Sequence, residues 1–143
     1  MVYKFVDDVA IADVAFEASG KNLEAMLESA GLALTNTMVK DLKQISNMEQ
    51  IKLDIKAEDA EKLLHNFLQE LIYYKDVKLL LFSKFKMRIT SLAQGYRLQA
   101  ICKGEKIDMK KHELLVDVKA VSWHMFKVEQ TKDDWKAFVI LDV

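Results

Sequence analysis

Carboxylates near the two ends of the sequence are the side chains best suited to chemistry. Asp7, Asp8 and Asp13 lie near the start, and Asp142 is followed by Val143 and its carboxylate. Hard cations such as Ca²⁺ and Mg²⁺ take several oxygen ligands, and carboxylates supply oxygen together with charge. If the first and last strands are neighbours, Asp13 completes a group with Asp142. The alternative is that these acids are solvated strand ends, and their spacing does not decide between the two.

Several familiar catalytic signatures are absent from the sequence. It contains no glycine-rich phosphate-binding motif, no C-x-x-C pair and no G-x-S-x-G elbow. His65, His112 and His124 are far apart, and a lone histidine is usually structural or solvated. A metal-dependent phosphohydrolase or nuclease stays an alternative, since two aspartates and a metal suffice in principle. The sequence offers it no second metal cluster and no positioned base.

Positive charge is concentrated in the middle of the chain. Residues 1–74 carry 7 basic and 13 acidic groups, whereas residues 75–111 carry 10 basic and 3 acidic groups. The net charge of −1 makes tight, non-specific nucleic-acid binding and direct contact with RNA doubtful. The middle block either forms a local basic face or lines the solvated side of strands, and solvated faces are commoner.

Composition indicates an ordinary globular protein. The 143 residues are 51% apolar and 30% charged, which predicts a single domain over residues 1–143. One cysteine, Cys102, excludes an intramolecular disulfide and favours a reducing compartment. No apolar run approaches the length of a membrane span and no signal peptide is recognisable. We therefore expect a soluble, cytoplasmic protein without membrane contact.

Two segments have the periodicity of amphipathic helices. Leu23, Met26, Leu27, Ala30, Leu34 and Met38 form one apolar stripe, preceded by Asn22 as a plausible N-cap. A second helix is predicted from Asp59 to Tyr74, with acidic residues at its start.

Five further segments alternate with period two and predict strands. They are Val14–Ala18, Ile51–Ile55, Phe85–Ile89, Tyr96–Cys102 and Trp135–Leu141. Runs of strands with only two helices predict the α+β class, with a mostly antiparallel sheet and both helices packed on one face. Trp123 and Trp135 are expected in the core rather than as base-stacking residues, and Cys102 is expected to be a buried apolar residue.

An ordered set of segments resembles the archease family from end to end. The most specific matches are in the C-terminal part, where they comprise His112–Leu114, Val118–His124 and Trp135–Val143. Ala12–Glu24, Leu63–Ile72 and the pair Gly104-Glu105 also match, in order and at similar spacing.

The resemblance implies a non-enzymatic protein cofactor of the tRNA-splicing RNA ligase. Archeases are thought to promote guanylylation of this ligase, which joins 3′-phosphate to 5′-hydroxyl ends, with the help of a divalent metal such as Ca²⁺ or Mg²⁺. By resemblance, Asp13, Asp142 and Val143 are the metal-binding positions and Lys119 is a position contacting a partner or phosphate. A chaperone-like effect on a tRNA cytosine methyltransferase is the alternative function.

The sequence departs from the family pattern before the first aspartate of the proposed site. Many members read Asp-His-Thr-Ala-Asp, whereas this chain reads Val9-Ala10-Ile11-Ala12-Asp13. The role of the usual histidine is therefore missing here or has moved, for example to Asp7 or Asp8.

Overall fold

The fold is that of a computed structural model, which describes residues 2–7 and 13–143. The elements in chain order are β1 (Val2–Val6), β2 (Asp13–Gly20), α1 (Leu23–Met38), a 3-10 turn (Leu42–Gln44), β3 (Glu49–Ala57), α2 (Ala60–Lys78), β4 (Leu80–Leu92), β5 (Gly95–Lys106), β6 (Ala120–Gln130) and β7 (Trp135–Asp142). In these residues no helix is long and apolar enough to cross a membrane.

The strands form two antiparallel sheets, and the predicted α+β class is confirmed. The four-stranded sheet has the order β1-β2-β7-β6, and the three-stranded sheet has the order β3-β5-β4. Each helix contacts both sheets, so the two helices and the two sheets share one apolar core. The sequence predicted five of the strands; β1 and β6 were not predicted.

Each helix begins directly after a capping residue, which is Asn22 for α1, as predicted, and Asp59 for α2. The side chain of Asn22 accepts a hydrogen bond from the main-chain N–H of Ala25, and that of Asp59 accepts one from Lys62. These bonds satisfy main-chain donors that the first turn of a helix leaves without partners. α2 ends beyond the predicted Tyr74, because Leu79 closes it in the left-handed conformation.

The hairpin between β4 and β5 depends on one glycine. Leu92 pairs with Gly95, so only two residues connect the strands. Gly95 has a φ of +100°, and a Cβ there would lie 2.0 Å from the carbonyl oxygen of Ala57. A side chain is therefore excluded both by conformation and by the neighbouring strand.

Glu105 fastens the loop after α1 to the loop after β5. Its carboxylate accepts hydrogen bonds from the main-chain N–H and hydroxyl of Ser46, from Nζ of Lys111 and from Nε2 of His112. Burial alone would raise the pKa of Glu105, but these donors outweigh it and lower the pKa to about 2. His112, which is almost fully buried, is therefore a structural residue of this cluster.

Replacing Glu105 should change the acid stability of the protein. We expect Glu105→Gln to destabilise the fold by about 1–3 kcal/mol at neutral pH, because its donors lose a charged acceptor. The lowered pKa means that wild-type stability falls as the pH drops from about 4.5 to about 2, whereas the variant should lose this dependence. Urea unfolding at several pH values measures both effects. Glu113→Gln, at an exposed acid paired with Lys40, is the matched control.

Candidate metal and partner site at the end of the four-stranded sheet

Pairing of β2 with β7 brings the two predicted aspartates together. Asp13 lies directly opposite Asp142 in the antiparallel register. In the same pair of strands Phe16 lies opposite Val139, and both are fully buried. Because side chains alternate between the faces of a sheet, the two carboxylates share the outer face. The register shows that the first and last strands in the sequence-based prediction are neighbours. Both aspartates are half-buried.

Lys119 and Val143 adjoin this pair. The main-chain N–H of Lys119 donates to the carbonyl oxygen of Asp142 at 2.8 Å, and the Lys119 side chain is exposed. Val143 follows Asp142 directly and packs against the core. All four predicted site residues therefore meet at one end of the sheet. We call Asp13, Lys119, Asp142 and Val143 the terminal site.

The donor set of the terminal site suits a hard cation. Two carboxylates and neighbouring main-chain oxygens are the ligand types that Ca²⁺ and Mg²⁺ prefer. Like charges directly opposite each other destabilise a sheet, and a bound cation would remove that cost. Across residues 2–7 and 13–143, no three His, Cys, Asp or Glu side chains cluster as metal ligands. Two aspartates therefore need main-chain, water or partner oxygens to complete a coordination shell.

The replaced His-Thr positions, Ala10 and Ile11, lie outside the described residues, as does Asp8. Asp7 is exposed just after β1.

A buried lysine of α2 fixes the segment that leads to Lys119. Nζ of Lys75 donates to the carbonyl oxygen of Val118 and to the carboxylate of Asp117, each at 2.7 Å. Lys75 is only 4% exposed, so this ammonium group is held by its acceptors rather than by water. The main chain next to Lys119 is thereby anchored to the helix.

Two more polar side chains of α2 bind the start of β6. Nε2 of His65 donates to the carbonyl oxygen of Val121 at 3.1 Å, and Oε1 of Gln69 accepts from the N–H of Val121 at 2.6 Å. His65 and Gln69 are four residues apart and so lie on one side of the helix. Burial lowers the pKa of His65, partly offset by its bond to Val121, which favours the neutral ring. These main-chain bonds were not predictable from the sequence pattern.

Beyond Val121, strand β6 bulges outward. Pairing with β7 shifts between Ser122 and Lys127, so four residues of β6 face a single residue of β7. Met125, within the bulge, has a φ of +57°.

The prediction that Trp123 lies in the core is wrong: it is 57% exposed, and its ring stacks on His65 at 3.7 Å between centroids. Trp135 does pack against the core, and Cys102 is fully buried as predicted, which raises its thiol pKa to about 12.

Known proteins are similar to this one along almost the whole chain. The model of the archease protein family matches residues 3–143. Protein archease of Pyrococcus abyssi is 35% identical over 133 residues, which cover 92% of this chain and 93% of the relative. The solution structure of protein 1598 of Methanobacterium thermoautotrophicum superposes with a TM-score of 0.85 at 36% identity, covering 99% and 98% of the two chains. A crystal structure from Thermotoga maritima, described as an archease and possible chaperone, shares the fold, with a TM-score of 0.63 at 23% identity over 94% and 93% of the chains.

Removing the Lys75 ammonium should loosen the terminal site. We expect Lys75→Met to raise amide hydrogen exchange at Lys119 about tenfold or more, because Val118 and Asp117 lose their donor. NMR measurement of the exchange rate of the Lys119 amide tests this prediction directly. Lys78→Met, at an exposed lysine of the same helix, removes the same charge and should leave the Lys119 amide unchanged. Equal exchange in both variants would show that Lys75 does not hold this segment.

Proposed function

The chain belongs to the archease family, and on that premise we propose that it is a metal-binding accessory protein that activates the tRNA-splicing RNA ligase by promoting its guanylylation and turnover. The observation that carries the proposal is the register of β2 and β7, which sets Asp13 opposite Asp142 with Lys119 hydrogen-bonded to the same strand. In this role the protein acts on the ligase and is not an enzyme itself.

The residues of the terminal site have distinct roles in this proposal. Asp13 and Asp142 would hold a divalent cation, with a main-chain oxygen of Val143 beside them. When bound, the cation supplies positive charge near the phosphates that the ligase transfers. The exposed ammonium of Lys119 acts as a second positive charge, toward phosphate or a ligase carboxylate. Because the main chain of Lys119 is hydrogen-bonded to that of Asp142, both charges would lie at the same end of the sheet.

Activation also requires a preference for one state of the ligase. A partner shifts a conformational equilibrium only by the difference between its affinities for the two states. The terminal site meets this requirement if it docks on the ligase state that holds metal and the triphosphate. Val143 packs against the core, which ties this end of the sheet to the rest of the molecule.

A chaperone-like action on a tRNA cytosine methyltransferase is the second candidate. It is favoured by the description of the Thermotoga relative as a possible chaperone and by the net charge of −6 over residues 1–74. Binding of this kind should weaken with salt and should not need the cation. A phosphohydrolase receives less support, since the described residues hold no cluster of three metal ligands. Turnover of phosphoesters by the isolated protein would support the phosphohydrolase function.

The aspartate pair should give a signature in stability. We expect Asp142→Asn to stabilise the metal-free protein by about 0.2–1 kcal/mol, since a like-charge pair is removed. The same variant should lose the stabilisation that Ca²⁺ or Mg²⁺ gives the wild type, which amounts to about 2.7 kcal/mol at a hundredfold excess over the Kd. Thermal unfolding with and without each cation measures both changes.

Asp133→Asn is the matched control for Asp142→Asn. Asp133 is an exposed acid in the loop between β6 and β7, just before Trp135, which starts β7 at the end opposite Asp142. Its replacement should leave the cation-dependent shift intact. A wild type that shows no shift with either cation would overturn the metal site.

Lys119 should matter for activation more than for folding. We expect Lys119→Ala to keep the unfolding free energy within about 0.5 kcal/mol, since its exposed side chain makes no ion pair in the described part of the chain. Guanylylation of the ligase, measured with GTP and divalent metal at substoichiometric amounts of this protein, should fall about tenfold or more. Lys119→Arg should restore part of the activity. Parallel loss of stability and stimulation would instead indicate a structural lysine.

A further inference from the structure

The outer face of the three-stranded sheet carries an unusual density of positive charge. Leu53, Phe85 and Leu98 point into the core, so the residues that alternate with them point outward. The outward residues form four rows across β3, β5 and β4: Gln50, Lys103 and Lys84; Lys52, Ile101 and Lys86; Asp54, Gln99 and Arg88; and Lys56, Arg97 and Thr90. We call these twelve positions the basic face.

The charges of the basic face are almost unopposed. Seven of its residues are Lys or Arg and one is acidic. That acid, Asp54, is held by Arg97 through two hydrogen bonds of 2.9 and 2.6 Å. The other six cations make no ion pair with any residue in the described part of the chain. The net charge of −1 for the whole chain hides this surface, because the acids lie elsewhere.

Stability does not explain this arrangement. Lys103 and Lys84 lie directly opposite each other, and facing like charges destabilise a sheet. Lysines often protect exposed edge strands from pairing with other molecules. That explanation serves β3 and β4, which are the edges, but Lys103 and Arg97 belong to the central strand β5. The charges are therefore better understood as a surface for a polyanion.

The shape and chemistry of the face favour a base-paired nucleic acid. Four rows span about 20 Å along the strands and about 10 Å across them. None of the twelve residues is aromatic, so the face has no platform for stacking unpaired bases. Gln50, Gln99 and Thr90 add neutral donors and acceptors among the cations. A shallow depression of about 410 Å³ lies around Gln99 and Ile101.

We propose that the basic face binds double-stranded RNA through its phosphate backbone, with the neutral side chains contacting 2′-hydroxyl groups. The wide, shallow minor groove of an A-form helix exposes those hydroxyls between two phosphate strands, where a sheet face of this size can approach them. The face reads no sequence, because its contacts go to sugar and phosphate. The inference does not rest on the proposed function, since it uses no residue of the terminal site.

Fluorescence anisotropy with a labelled RNA duplex of about 16 base pairs tests the proposal. EDTA keeps divalent metal out of the assay. If the six unopposed cations contact phosphates, the slope of log K against log salt should be about −5. Lys52→Gln/Lys86→Gln/Arg88→Gln should weaken binding about tenfold or more and reduce the slope by about 3. Glutamine preserves much of the side-chain length, and circular dichroism verifies the fold.

Lys21→Gln/Lys110→Gln/Lys132→Gln is the matched control, since it removes three exposed lysines outside the basic face. It should bind the RNA duplex within about twofold of the wild type. Equal weakening of both triple variants, or no binding at about 50 mM salt, would overturn the proposal.

Three further probes separate double-stranded RNA from other polyanions. A DNA duplex of the same sequence and the single RNA strand should each bind about tenfold more weakly than the RNA duplex. Poly-L-glutamate should compete poorly at equal charge concentration. Equal binding of DNA would remove the role of the 2′-hydroxyl groups. Equal competition by poly-L-glutamate would assign the face to an acidic protein surface instead.

Discussion

The antiparallel pairing of β2 with β7 is the constraint on which the rest of the terminal site depends. One register satisfies two requirements at once. Phe16 and Val139 face each other in the core, and Asp13 and Asp142 face each other outside it. A slip of one residue would exchange the faces, exposing the core residues and burying the carboxylates. Burying unpaired carboxylates is costly, so the apolar and acidic residues enforce the same pairing.

α2 connects this pairing to the rest of the molecule. Its apolar side packs in the core, while His65, Gln69 and Lys75 bind the main chain of residues 117–121. A helix with only apolar contacts would let this segment slide, because apolar packing is non-directional. Hydrogen bonds to named main-chain atoms fix its position. Lys119 is therefore placed from two sides, by α2 and by β7.

The sequence predicted the regular elements because each follows a local rule. Both helices and five strands show their period directly, and the α+β class follows from them. β6 was not predicted because its bulge interrupts the alternation, and the same bulge turns Trp123 outward. Proximity of Asp13 and Asp142 was predictable only on the condition that two distant strands pair. The basic face was not predicted as one surface, because its residues come from separate stretches of the chain. Lys52 and Lys56 lie outside the basic block of residues 75–111.

The pairing of β2 with β7 also affects the order in which the parts of the protein fold. β4 and β5 are joined by two residues, so this hairpin of the three-stranded sheet can form from contacts that are close in the chain. The pairing of Asp13 with Asp142 instead closes almost the whole chain, and such non-local contacts form slowly. During synthesis, β2 must wait for β7 until residues 135–142 have left the ribosome. The terminal site is thus assembled later than the β4–β5 hairpin, and a chain interrupted before β7 carries only two of its four residues.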